Sequence, residues 1–142
     1  MHRLSFLNGT KCSDEKKRGD FGESVVCEYL EKTGATILER NYRKKHGEID
    51  IIAMNDMTLM IIEVKTRRQN GLISGAEAMT KKKQSNIIKT AELYLIDNKM
   101  DLPLSFDVAE VVITNSNNPK VLKMSYYPGA FDASDMENNL FG

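Results

Sequence analysis

Between Glu48 and Lys65 the chain carries two strand-length apolar runs, Glu48 to Met54 and Thr58 to Lys65, with Asn55-Asp56 between them. Asn and Asp tolerate the backbone geometry of a tight turn, so the two runs are expected to pair as an antiparallel hairpin. Ile61, Ile62 and Val64 leave little polar alternation in the second run, so both faces of this sheet should be covered by other elements. Charges there need an explanation. Asp50, Glu63 and Lys65 fall on these strands, and each ion buried in such a place costs several kcal/mol unless it is paired or bound to a cation.

The rest of the chain supplies the cover. Asp14 is a candidate cap for a helix running to about Thr33, ended by Gly34, with Phe21, Val25, Val26, Tyr29 and Leu30 on one apolar arc. Glu23 projects at the edge of that arc. Ala35 to Asn41 reads as a strand, followed by the basic turn Arg43-Lys44-Lys45-His46-Gly47. A second helix is expected over 75–97, burying Met79, Ile87, Ile88, Ala91, Tyr94 and Leu95, and Asp101-Leu102-Pro103 breaks it. Strands at Ser105–Thr114 and Lys120–Tyr126 flank the turn-rich segment Asn115 to Pro119. The order helix, three strands, helix, two strands predicts an α/β sandwich: a mixed central sheet flanked by helices.

No repeat or linker divides the chain, and at 142 residues one core suffices. Three units are expected along it: a flexible N-terminal segment over 1–13, one domain over 14–131, and an acidic tail over 132–142. Composition excludes more than it assigns. With 41% hydrophobic and 28% charged residues the chain is neither disordered nor membrane-spanning, and the start lacks an apolar stretch long enough for export, so a cytoplasmic location is expected. Cys12 and Cys27 are too few for a disulfide framework and lack zinc-site spacing. Net charge is zero, so any attraction to nucleic acid must be local.

Residues two apart on a strand share a face, which puts Glu63 beside Lys65, and the hairpin lets Asp50 approach Glu63 if register and pleat agree. Mg²⁺ is commonly held by one or two carboxylates together with water and phosphate oxygens, a role Asp50 and Glu63 can fill, with Mn²⁺ as an alternative. Lys65 is suited to position an attacking water or to stabilise growing negative charge. Glu23 is a candidate further metal ligand. Lys83 lies on the stripe of Met79, Ile87 and Ala91, where a charge is easier to understand if it faces a phosphate, and Gln84 lies nearby. Arg43, Lys44 and Arg67 belong to basic groups that would contact nucleic acid if they gather on one face.

Gly22-Glu23 with Tyr29-Leu30, Gly34 with Ile37-Leu38, Arg40-Asn41 with Arg43, Gly47-Glu48-Ile49-Asp50 and Glu63-Val64-Lys65-Thr66-Arg67 together resemble the YraN family, bacterial relatives of archaeal Holliday-junction resolvases. The likeness continues through Lys83, Ala91, Tyr94-Leu95 and Phe106-Asp107-Val108 to Ala130-Phe131. It implies a restriction-endonuclease-like fold of the PD-(D/E)XK type, with Glu23, Asp50, Glu63 and Lys65 at the positions that carry metal and catalysis. It also implies a homodimer, since similar resolvases are dimeric. Ile49 replaces the proline of the general motif, and Ser105 stands where a basic residue is expected. The expected function is Mg²⁺-dependent hydrolysis of nucleic acid, DNA first, in branched or damaged form. Two alternatives stand beside it: a non-catalytic nucleic-acid-binding module on the same fold, and a structural ion network of Asp50, Glu63 and Lys65.

Overall fold

The computed structural model describes residues 14–70 and 79–134; the expectations for 1–13, for 75–78 of the second helix and for most of the acidic tail lie outside them. Seven elements run in the order α1 (Asp14–Lys32), β1 (Thr36–Lys44), β2 (Gly47–Asn55), β3 (Thr58–Arg68), α2 (Lys81–Asp97), β4 (Leu104–Ile113) and β5 (Val121–Phe131). The strands form one mixed sheet in chain order, antiparallel except for the parallel pair β3–β4, which α2 connects.

The helix α1 includes Asp14 and ends in a Schellman arrangement. Gly34 takes φ 99, its N–H donates to the Glu31 carbonyl at 3.1 Å, and the Ala35 N–H donates to the Leu30 carbonyl at 3.0 Å. The buried positions Val26, Cys27 and Leu30 pack on Ile51, Ala53, Ile62, Ala109, Val111 and Ile113. Gly22 sets how close this layer lies: a Cβ there would meet Thr66 Oγ1 of β3 at 1.8 Å.

The second helix starts later than its apolar stripe suggests, because Thr80 caps it. The Thr80 backbone is extended at φ −62, ψ 156, and its hydroxyl accepts from the Lys83 N–H at 3.1 Å, so Met79 and Thr80 precede the helix. Ile87, Ile88, Ala91 and Tyr94 pack with Ile49, Ile52, Leu59, Ile61, Phe106 and Phe131 on the opposite face of the sheet. Leu95 only borders this core.

The last strand also runs on past Tyr126 to Phe131. It is an edge strand, where Pro128 needs no ladder donor, and the Gly129 N–H donates to the Asp107 carboxylate at 3.0 Å. No helix among the described residues is long and apolar enough to cross a membrane.

Candidate functional site

The antiparallel hairpin forms as expected, but its turn lies one residue later than Asn55-Asp56: Asn55 pairs with Thr58, and Asp56 and Met57 take φ 49 and 60. Its ladder runs from Asn55↔Thr58 to Ile51↔Ile62, and one step further would set Asp50 opposite Glu63. There the ladder stops. The Val64 N–H, which faces β2, donates instead to Asp50 Oδ2 at 2.8 Å. A side chain thus replaces a backbone acceptor, and the strands part where the acids stand.

The other neighbour of β2 is irregular at the same level. Between the pairs Arg40↔Ile51 and Tyr42↔Ile49, Asn41 lies across from Asp50 with φ 54, a left-handed conformation that Asn tolerates better than most residues. Ile49 and Ile52 pack in the core under α2, whereas Ile51 and Ala53 pack in the core under α1, so the alternation of faces along β2 breaks at Asp50. This brings Asp50 under the influence of both helices.

A cleft of about 220 Å³ opens here, lined by Gly47, Glu48, Asp50, Glu63, Lys83, Asn86 and Ile87. Gly47 fits because the strand runs close under α2, where a Cβ would stand 3.3 Å from that of Asn86. Glu63 is buried. Its Oε2 lies 2.5 Å from Lys83 Nζ and 3.7 Å from Lys65 Nζ. Asp50 and Glu63 are in side-chain contact, and burial together with the Glu63 charge pushes the Asp50 carboxyl up to about 8, against the opposing pull of the Val64 N–H. Burial draws the Lys83 ammonium down, but contact with Glu63 outweighs it and leaves the lysine above its ordinary value.

Glu23 comes from the other layer. It is buried, and its charge also raises Asp50, yet its own partners are Asn41 and Arg40, whose Nη2 is 3.6 Å from Glu23 Oε1. Burial raises the Glu23 carboxyl, and Asn41 and Arg40 draw it partly back. Among the described residues no three His, Cys, Asp or Glu side chains stand close enough to hold one metal ion. The structure therefore brings Asp50, Glu63, Lys65 and Lys83 together and leaves Glu23 one step behind Asp50.

The remaining candidates for nucleic-acid contact are held elsewhere. Gln84 Nε2 donates to the Met79 carbonyl at 3.1 Å. Arg43 pairs with Glu48 at 2.9 Å, Lys44 with Asp97 at 3.3 Å, and Arg67 with Glu110 at 3.1 Å. Of these acids only Glu48 lines the cleft, so Arg43 stands nearest its rim. Ser105, where a basic residue was expected, donates its hydroxyl to Asp107 Oδ1 at 2.6 Å.

The combination of Gly22-Glu23, Gly47 to Asp50 and Glu63 to Arg67 now lies within one fold, and comparison with known sequences decides its kinship. The model of UPF0102, described as an uncharacterised protein family, matches residues 22–111. The chain belongs to the UPF0102 family. This is the YraN family, which sits in the restriction-endonuclease-like superfamily. A UPF0102 protein of Clostridium botulinum (strain Hall) is 42% identical over 111 residues, covering 77% of this chain and 90% of its own. One of Clostridioides difficile (strain 630) is 44% identical over 101 residues, covering 70% and 89%.

The UPF0102 match begins at Gly22, the glycine that lets α1 close onto Thr66, and takes in every cleft residue. Three contributors to the site were not read from the sequence as such: Asn41, Asn86 and the Val64 N–H. Asn41 did leave a signal, since Asn is disfavoured inside a strand. A backbone N–H leaves none.

Proposed function

We propose that this UPF0102 protein is a divalent-cation-dependent nuclease acting on DNA, with Asp50 and Glu63 as the cation seat. The observation that carries the reading is the contact between these two carboxyls inside the cleft, where burial and mutual repulsion hold Asp50 far above the ordinary carboxylate range. Two acids so placed gain by sharing a cation. Two carboxylates with a cleft open to water and phosphate match the donor set Mg²⁺ favours, and Mn²⁺ accepts the same oxygens.

Bound there, the cation would supply Lewis-acid polarisation of a phosphoryl oxygen and a water of lowered pKa. The chain does the rest. Asp50 is held in place by the Val64 N–H, and Lys65, 3.7 Å from Glu63, is positioned to orient the attacking water or stabilise charge on the phosphate. Asn41 and Arg40 steady Glu23 behind Asp50, where it tunes the charge of the seat.

The first turn of α2 supports an anionic substrate. It carries Lys81, Lys82 and Lys83 and no acid, although cations at a helix N-terminus oppose the dipole by about 0.3–1 kcal/mol each. A phosphate at the cleft would turn that repulsion into attraction. Because the chain has no net charge, this local cluster is the feature that favours nucleic acid.

The test is cleavage of plasmid, branched and single-stranded DNA with Mg²⁺ or Mn²⁺. Cleavage is expected to need the cation, and Glu63→Ala or Lys65→Ala should lower it by about 10²-fold or more. Variants that cut as well as the parent, or a protein that cuts nothing in the panel, would overturn the reading. Salt-dependent binding without turnover, unchanged by loss of Asp50 and Glu63, would point to the non-catalytic binding module instead.

A further inference from the structure

The cation seat on Glu63 already holds a positive charge. Lys83 Nζ stands 2.5 Å from Glu63 Oε2, inside the cleft that Asp50 also lines, and the charge of Asp50 acts on it as well. Lys65 reaches the same oxygen at 3.7 Å, but it is rooted in the middle of β3 and is 30% exposed. Lys83 is 45% exposed and comes from the first turn of a helix at the mouth of the cleft. Its four-carbon stem can swing the ammonium several ångströms outward with no backbone movement.

We infer that Lys83 is a displaceable counter-ion: its ammonium occupies the seat on Glu63 until a divalent cation expels it, and the freed lysine then takes a substrate phosphate. The inference rests on the proposed function, since it assumes that Asp50 and Glu63 receive a cation. An ammonium and a divalent cation cannot both sit within about 3 Å of one carboxylate oxygen without strong repulsion. One must leave, and Lys83 is the group with room to move. By linkage, whatever draws Lys83 outward strengthens cation binding, and cation binding strengthens the hold on phosphate. The site would thus be armed by metal and nucleic acid together.

Calorimetric titration of the full chain with Mn²⁺, without nucleic acid, tests this. Lys83→Met removes the competing charge and keeps a good helix former, so it should bind Mn²⁺ roughly two- to fivefold more tightly than the parent, the scale of one partly exposed ion pair. Lys83→Arg, which keeps the charge, should stay close to the parent. Ca²⁺ titrations with a short DNA duplex present should show tighter cation binding by the parent, and a smaller gain for Lys83→Met. Thermal melts of each variant check that the fold is retained.

If the parent binds Mn²⁺ and Lys83→Met binds it equally or more weakly, the role of Lys83 is overturned and the cation seat stands. If neither protein binds Mn²⁺, the inference and the proposed function fall together.

Discussion

Asp50 is where backbone and chemistry meet, because its carboxylate closes a hydrogen bond that the sheet leaves open. The same carboxyl holds its proton more tightly in the folded chain than in the unfolded one. Its contribution to stability is therefore fully present below about pH 4, its unfolded value, and is lost as pH rises toward about 8. Asp50→Asn, which keeps an oxygen for the Val64 N–H, should be more stable than the parent at pH 8 in cation-free buffer, by about 1–2 kcal/mol after solvent screening. At pH 4 the two should converge. Denaturant melts at both pH values check this, and equal differences at the two would contradict it. Asp107 contrasts with Asp50. It is fully buried, and it accepts from Ser105 Oγ at 2.6 Å, Tyr126 Oη at 2.5 Å and the Gly129 N–H at 3.0 Å. Burial and this carboxylate hold the Tyr126 phenol protonated far above its ordinary range. Asp107 thus ties β5 to β4. Tyr126→Phe should cost about 1–3 kcal/mol of stability and leave cation binding unchanged, as melts and titrations will read.

Among the elements, α1 decides how Glu23 meets the sheet. Gly22→Ala puts a Cβ 1.8 Å from Thr66 Oγ1, so helix or strand must shift. The expected loss is about 1–3 kcal/mol, with part of it restored by adding Thr66→Ala, which removes the nearest atom. A loss that the second substitution leaves untouched would refute the contact. The same elements show what a reader of the sequence could see. Strands β2 and β3, their antiparallel pairing and the shared face of Glu63 and Lys65 were legible because apolar runs and turn residues act locally, although the turn itself falls at Asp56-Met57, one residue later than expected. The start of α2 was not: Met79 continues the apolar stripe, and Thr80 as a cap competes with that pattern by one hydrogen bond. The extension of β5 through Pro128 was hidden because proline argues against a strand unless the strand is known to lie at an edge. Glu23 was legible as an edge position of its helix, while its partners Arg40 and Asn41 come from a different element, a long-range contact that no local pattern reveals.

Across the whole molecule, two cores on opposite faces of one sheet fix the cleft between them. The α1 layer sets Glu23 behind Asp50, the α2 layer brings Lys83 in front of Glu63, and the parted ends of β2 and β3 lie between. Each layer adds charge that the sheet alone could not bear. Burial pushes the Cys27 thiol up to about 11, so this cysteine, unlike Glu23 on the same helix, takes no part in the chemistry. The proposed nuclease chemistry requires a cation lodged between Asp50 and Glu63. Crystals soaked in Mn²⁺ and measured for anomalous scattering test it most directly. The expected result is a peak within coordination distance of both carboxylates, with Lys83 turned away from Glu63. An empty cleft at saturating Mn²⁺, or a peak bound only by surface acids elsewhere, would contradict it.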